Sequence, residues 1–229
     1  MNYVRDLHSH RARHFSQNGE DGVIERLFEL LGTTNRRYVE IGAGDGSECN
    51  TRWLREQHGW GGVMIDCAHG DPSIGLQQEF VTAENVNEML AKHGVPEEPD
   101  LLSIDIDGQD YWVWQAVSPR WKPRVVVIEY NAGVPHDLPV TIPYDPNYRW
   151  CGQPNVGQSL LALQKLSEKK GYSLLYASAP NAFLARTSIL PAGYRQVSAA
   201  EAAQISFVEK IYLRRRWKSD LRKLSWVTV

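Results

Sequence analysis

Four groups of residues in this chain have the types and spacing to do chemistry. The first is Glu40-Ile41-Gly42-Ala43-Gly44-Asp45-Gly46, an acid followed by glycine at alternate positions. Glycine lets a loop take positive φ and leaves no Cβ between backbone and ligand. The second is Asp66, which follows the glycine loop by about twenty residues, a spacing that suits a carboxylate accepting from ribose hydroxyls. The third is Asp105 with Asp107, two apart and so on one face of any strand that persists through both. The fourth, Glu129 with Asn131, repeats that relationship. Oxygen groups gathered in this way suit a hard cation such as Mg²⁺. They could instead supply a general base and its orienting partners without metal, with Asp105, Asp107 and Glu129 as catalytic candidates, or they could cap helices. His136, in the loop beyond, is a further candidate to take a proton from an acceptor.

These residues need elements to bring them together. Tyr38 to Ile41 reads as a strand that enters the glycine loop, and Thr51 to Gln57 as a helix whose N-terminus offers free N–H groups. Val63 to Asp66 is a second strand, and Phe80-Val81 closes a short third one. A helix from Val86 to His93 follows, with Thr82 as its N-cap. Leu101 to Asp107 is the fourth strand and Tyr111 to Val117 a short helix. Arg124 to Glu129 is nearly continuous in β-branched residues, as fits a parallel strand covered on both faces. Ser159 to Lys170 is helical, and Tyr172 to Tyr176 with Ala182 to Ala185 reads as a closing hairpin. The alternation predicts an α/β fold, a doubly wound, mostly parallel sheet of about seven strands. Such a sheet gathers ligands at the carboxyl ends of its strands, where all four groups would meet.

The flanking segments are more variable. Residues 1–15 are polar and basic and read as an N-terminal arm. Ser16 to Asp21 precedes an amphipathic helix, and its polar residues suit either an N-cap or closure over a ligand. Residues 133–154 form a long loop rich in proline and aromatics, of the kind that serves as a lid. Tyr130, Tyr144, Tyr148 and Trp150 could wall an acceptor pocket there. Residues 191–229 read as a basic helical extension, with Arg214, Arg215, Arg216, Lys218, Arg222 and Lys223 on one stretch.

Composition narrows the class. The chain has 229 residues, enough for one α/β domain with elaborations, and a net charge of -2, which offers no general attraction to nucleic acid. Its three cysteines show neither zinc spacing nor a disulfide framework, which points to a reducing, cytoplasmic setting. No apolar run is long enough to span a membrane, and the N-terminal residues lack the apolar core of a signal peptide. A small-molecule substrate is the expected partner, and a homo-oligomer is left open.

Three stretches together carry a resemblance. Ser16-Gln17-Asn18-Gly19-Glu20-Asp21-Gly22, Val39-Glu40-Ile41-Gly42-Ala43-Gly44-Asp45-Gly46 and Ile104-Asp105-Ile106-Asp107-Gly108-Gln109-Asp110 resemble the motifs of FkbM-type methyltransferases, in that order. These are class I enzymes that use S-adenosylmethionine (SAM). The resemblance covers roughly residues 15 to 190, with the methyltransferase domain read as residues 16–190. It implies a Rossmann-like, SAM-binding fold of the class I methyltransferase type and methyl transfer, commonly to oxygen on a small molecule or sugar. It also implies that Glu40, Gly42 and Gly44 contact the methionine part of SAM, that Asp66 meets the ribose, that Ala83 and Glu84 lie by the adenine, and that Asp105 faces the reacting end. The cation site of some related O-methyltransferases uses acids after the fourth and fifth strands plus an amide, a pattern that Asp105, Glu129 and Asn131 match loosely. Methylation of an amine, and a non-catalytic subunit that binds SAM, are the competing expectations. A nucleotide-dependent oxidoreductase is disfavoured by the glycine spacing.

Overall fold

The computed structural model describes residues 2–150, 157–203, 215 and 221–229. Its centre is a seven-stranded sheet in the order β3-β2-β1-β4-β5-β8-β7. The strands are β1 (Arg37–Ile41), β2 (Gly61–Asp66), β3 (Leu76–Gln78), β4 (Leu101–Ile104), β5 (Val125–Glu129), β7 (Tyr172–Ser178) and β8 (Asn181–Arg186). Every neighbouring pair is parallel except those of β8, which runs against β5 and β7. The expected mostly parallel, doubly wound α/β sheet is therefore present. β4 is buried throughout, and so is β5 from Val125 to Ile128, because helices cover both faces.

The helices are α1 (Tyr3–Ser9), α2 (Glu20–Leu31), α3 (Arg52–His58), α4 (Val86–Lys92), α5 (Asp110–Ala116), α6 (Leu160–Lys169) and the short α7 (Ala199–Ala202). Val23, Ile24, Leu27 and Phe28 bury one stripe of α2, the spacing of an amphipathic helix. The N-terminal arm expected over residues 1–15 is corrected in part. Tyr3, Val4 and Leu7 are buried in α1, which packs on β7, and the apolar stripe outweighs the polar residues between.

Two local expectations also change. Pairing with β2 runs only to the register Asp66↔Gln78, so β3 ends there, and Phe80-Val81 lie past the sheet edge. The N-cap position of α4 is Asn85 rather than Thr82; Thr82 caps the turn before it, its Oγ1 accepting from the Asn85 N–H at 3.4 Å while its own N–H donates to Asn85 Oδ1 and Asn85 Nδ2 donates to the Phe80 carbonyl. A two-stranded ribbon joins β6 (Val140–Thr141) to β9 (Val227–Thr228), so the last described residues return to the long loop. The basic stretch expected to be helical lies mostly outside the described residues, as does Cys151. Among the described residues, no helix is long and apolar enough to cross a membrane.

Candidate active site

The loop after β1 is held by backbone bonds to the end of β2. The N–H groups of Gly42 and Ala43 both donate to the Ile65 carbonyl, at 2.8 and 3.2 Å. Gly42 has φ +87, and a Cβ there would lie 1.6 Å from the carbonyl oxygen of Asp105. Glycine is required at this point because the loop runs directly against the end of β4.

Glu40 is 2% exposed, and its carboxylate accepts from the Asn50 N–H (2.7 Å), the Thr51 N–H (3.0 Å) and the Thr51 hydroxyl (2.5 Å). Burial raises its pKa and these bonds oppose the shift. Its first task is therefore to tie the end of β1 to the start of α3. Asp66 is used in the same way. One oxygen accepts from the Gly44 N–H at 3.0 Å; the other accepts from the N–H groups of Ala68 and His69 at 2.8 and 3.0 Å. The residue expected to meet ribose thus anchors the loop as well as lining the cavity.

The cavity, about 520 Å³, opens along the carboxyl edge of β1, β2, β4 and β5. Glu40, Gly42, Gly44, Asp66, Asp105, Asp107 and Glu129 all line it, so seven of the expected residues share one wall. Ala83 and Glu84 do not. Glu79, Phe80 and Val81 form that corner instead, because β3 ends early. Ala83 N–H donates to the Tyr144 hydroxyl at 3.2 Å, and that hydroxyl donates to Glu84, so both residues brace the long loop from outside.

Asp105, Asp107 and Glu129 each place a carboxylate oxygen within 4.8 Å of the others. The expectation of a strand running through both aspartates is corrected. β4 stops at Ile104, and a turn with Asp107 at φ +54 brings them together. Asp110 closes that turn by accepting from the Ile106 and Gly108 N–H groups, each at 2.9 Å. Burial, then the neighbouring Asp110, pushes Asp105 well above the usual carboxylate range. Burial, then Asp105, does the same to Glu129. Asp107 is raised by burial and by Asp66. Glu129 Oε2 is buried with no hydrogen-bond partner among the described residues. Carboxylates crowded in this way, Asp107 exposed and Asp105 and Glu129 half-buried, favour a proton or a cation, and this donor set fits a hard divalent ion.

The expected cation set is only partly assembled. Asn131 lies off the cavity wall, where its Oδ1 accepts from the Gly133 N–H at 2.9 Å. β5 ends at Glu129, and the chain turns away through Tyr130. Asp107 stands third in the group instead. His136 also lies outside the wall formed by the described residues.

Several lining residues were not singled out as site residues. Gln17, Asn18 and Glu20 reach the cavity from the turn before α2, and Pro180 and Asn181 reach it from the β7–β8 hairpin. The N-cap of α2 is Gly19 and makes no side-chain cap bond, so the N-cap pair expected from Asn18 and Asp21 does not form. Asp21 accepts three backbone N–H groups, those of His14, Phe15 and Ser16, while Glu20 lines the cavity. From the long loop, Tyr148 packs on Gly108, and the Arg149 guanidinium sits 3.3 Å above the Phe80 ring. Trp150, 51% exposed, completes this side, whereas Tyr144 does not reach it. Among the described residues, nine acids line the cavity against one basic residue, Arg149, so its field is negative even where burial favours a proton on Glu40, Asp105 and Glu129.

No protein-family model matches the chain, and no curated protein matches it. Solved structures with a similar course include the methyltransferase MycE from the mycinamycin biosynthetic pathway, in complex with Mg and SAH. It is 15% identical with a TM-score of 0.44, over 92% of this chain and 55% of that one. The mitomycin 7-O-methyltransferase MmcR is 14% identical with a TM-score of 0.32, over 72% and 55%. The pyocyanin biosynthetic protein PhzM is 16% identical with a TM-score of 0.35, over 71% and 54%. The chain thus spans about half the length of these structures. At such identities the chemistry of the site is read from its own residues.

Proposed function

We propose that this protein transfers a methyl group from SAM to a small-molecule acceptor, with oxygen as the first acceptor class. The observation that carries this reading is the charge of the cavity. A glycine loop at the carboxyl edge of a parallel sheet could serve a dinucleotide or SAM. Among the described residues, nine acids against one arginine repel a pyrophosphate and attract a sulfonium cation.

The reaction is an in-line displacement at the methyl carbon, for which the sulfonium is already a good leaving group. The protein's contribution is alignment and removal of the acceptor's proton. Asp105, Asp107 and Glu129 crowd one another, so a carboxylate among them is a stronger base than usual and is suited to that proton. The same three residues would hold a divalent cation, which would supply charge stabilisation to an acceptor oxygen.

Calorimetry with S-adenosylhomocysteine (SAH) and with NAD⁺ tests the cofactor. SAH binding without NAD⁺ binding is expected, and the reverse would overturn the reading. Once an acceptor is in hand, turnover lost in EDTA and restored by Mg²⁺ is expected. Full turnover in EDTA would leave the three carboxylates as base and binding groups alone.

A further inference from the structure

The hairpin residue Asn181 is 3% exposed and sits opposite Glu129 in the antiparallel β5–β8 pair. Its amide is oriented by its surroundings. Nδ2 donates to Glu20 Oε1 at 3.1 Å, so Oδ1 is the end left over. That oxygen has no hydrogen-bond partner among the described residues, and neither has Glu129 Oε2 on the facing strand. Residues opposite one another in such a pair have Cβ atoms about 5 Å apart, so the two oxygens belong to one small region. Both residues line the cavity. Buried acceptors without donors are rare in folded proteins, so a donor from outside the fold is expected to complete these two.

We propose that Asn181 and Glu129 form a recognition site for an amine carried by the methyl acceptor. Two acceptors need two donors. One protonated amine supplies both from a single nitrogen, whereas a hydroxyl supplies one. The nine acids of the wall favour the cation over a neutral group, and they exclude a carboxylate or phosphate at this place. A nitrogen held in this way keeps its protons and has no lone pair to attack with. It is a handle that positions a neighbouring oxygen, not the nucleophile. Glu20 is then a positioning residue, because it fixes which end of the Asn181 amide faces the ligand. The site lies toward β5 and β8, while the glycine loop and Asp66 lie toward β1 and β2, so the amine belongs to the acceptor rather than to the cofactor.

The inference rests on the methyl-transfer reading, and its test separates the two. Benzylamine and benzyl alcohol differ only in the group that the pair would grip. Their binding to the full-length protein, with and without SAH, is measured by saturation-transfer NMR, and SAH binding is measured separately by calorimetry. Benzylamine is expected to bind about tenfold more tightly than the alcohol, the scale of a charge-assisted hydrogen bond. Asn181→Leu and Glu129→Gln should each remove most of that preference, with melting temperatures recorded to show that both variants fold. SAH affinity should stay within about twofold, well short of the loss of one hydrogen bond to a charged group. Equal binding of amine and alcohol by the wild type would overturn the proposal. So would a preference retained in both variants. A large loss of SAH affinity in Asn181→Leu would overturn it too, by assigning the pair to the ammonium of the cofactor. Failure of the wild type to bind SAH at all would remove the methyl-transfer reading, while the amine preference, read without SAH, would still decide the site.

Discussion

Gly42 and Gly44 separate steric fit from backbone conformation within one loop. Both have positive φ, +87 and +56, so an alanine at either incurs the left-handed cost of about 1–2 kcal/mol. They differ in what a methyl group would meet. At Gly44 it would find nothing within 4 Å; at Gly42 it would lie 1.6 Å from the Asp105 carbonyl oxygen and 2.5 Å from the carbonyl carbon. No real Cβ tolerates less than 3.0 Å, so Gly42→Ala must push the loop and β4 apart by more than an ångström. The hydrogen bond from Asp105 N–H to the Ile41 carbonyl, 2.9 Å long, lies at the same place and would stretch with it. Broken packing and a lost ladder bond add to the conformational cost, for a total of roughly 3–5 kcal/mol, the range of the most damaging single substitutions. Gly44→Ala should cost about 1 kcal/mol, the conformational part alone. Urea unfolding with a common m-value measures both, and calorimetry with SAH follows the site. Gly44→Ala should fold normally yet bind SAH more weakly, since its methyl enters open space at the cavity wall. Equal unfolding midpoints for the two variants would refute the claim that Gly42 is set by contact with Asp105.

Three further outcomes follow from the geometry. Asp66→Asn removes a carboxylate that accepts three backbone N–H groups, so melting temperature and SAH affinity should fall together; a loss of affinity alone would mean that Asp66 serves only the ligand. Trp150→Ala should weaken use of the acceptor with little change in melting temperature, and Tyr144→Phe should do the reverse, because Tyr144 braces Ala83 and Glu84 outside the cavity; matching effects would dissolve that division of labour. Burial raises Asp110 from 3.8 to about 6, so the folded state keeps a proton that the unfolded chain has released. Its contribution to stability is then fullest below about pH 4 and is lost as the pH rises through about 6. Asp110→Asn mimics the protonated acid, so its melting temperature relative to wild type should climb between about pH 4.5 and 7.5, and a flat difference would refute the shift.

The sheet was legible because its central strands are covered on both faces. Val125 to Ile128 and Leu101 to Ile104 read as apolar runs for that reason. The acids at their ends were legible because parallel strands share a carboxyl edge. That rule also explains what escaped. β8 runs the other way, so its first residue, Asn181, lands on the ligand edge, where the rule looks only for last residues. The hairpin itself was readable, and reversing the rule for its second strand would have found Asn181. Asn131 lies off the cavity wall for a related reason: alternation along a strand holds only while the strand continues, and β5 ends at Glu129. Asp105 and Asp107 meet although β4 also ends early, because Asp110 folds the turn between them.

The acids of the site divide by their hydrogen bonds rather than by residue type. Glu40 accepts three donors from the start of α3, and Asp66 accepts three from its own and the glycine loop. Each is satisfied by the backbone that it organises, so its charge is spent on construction. Glu129 has an oxygen that no described residue satisfies, and Asp105 and Asp107 lie within 4.8 Å of it. A buried acceptor in that condition costs stability unless something outside the fold completes it. The chemistry of this protein is therefore to be sought at β4 and β5 rather than at the glycine loop, even though the loop is the plainest feature of the sequence. Which acids are occupied and which are open depends on the N–H groups that the folded backbone turns toward them, and a list of residues at strand ends does not contain that information.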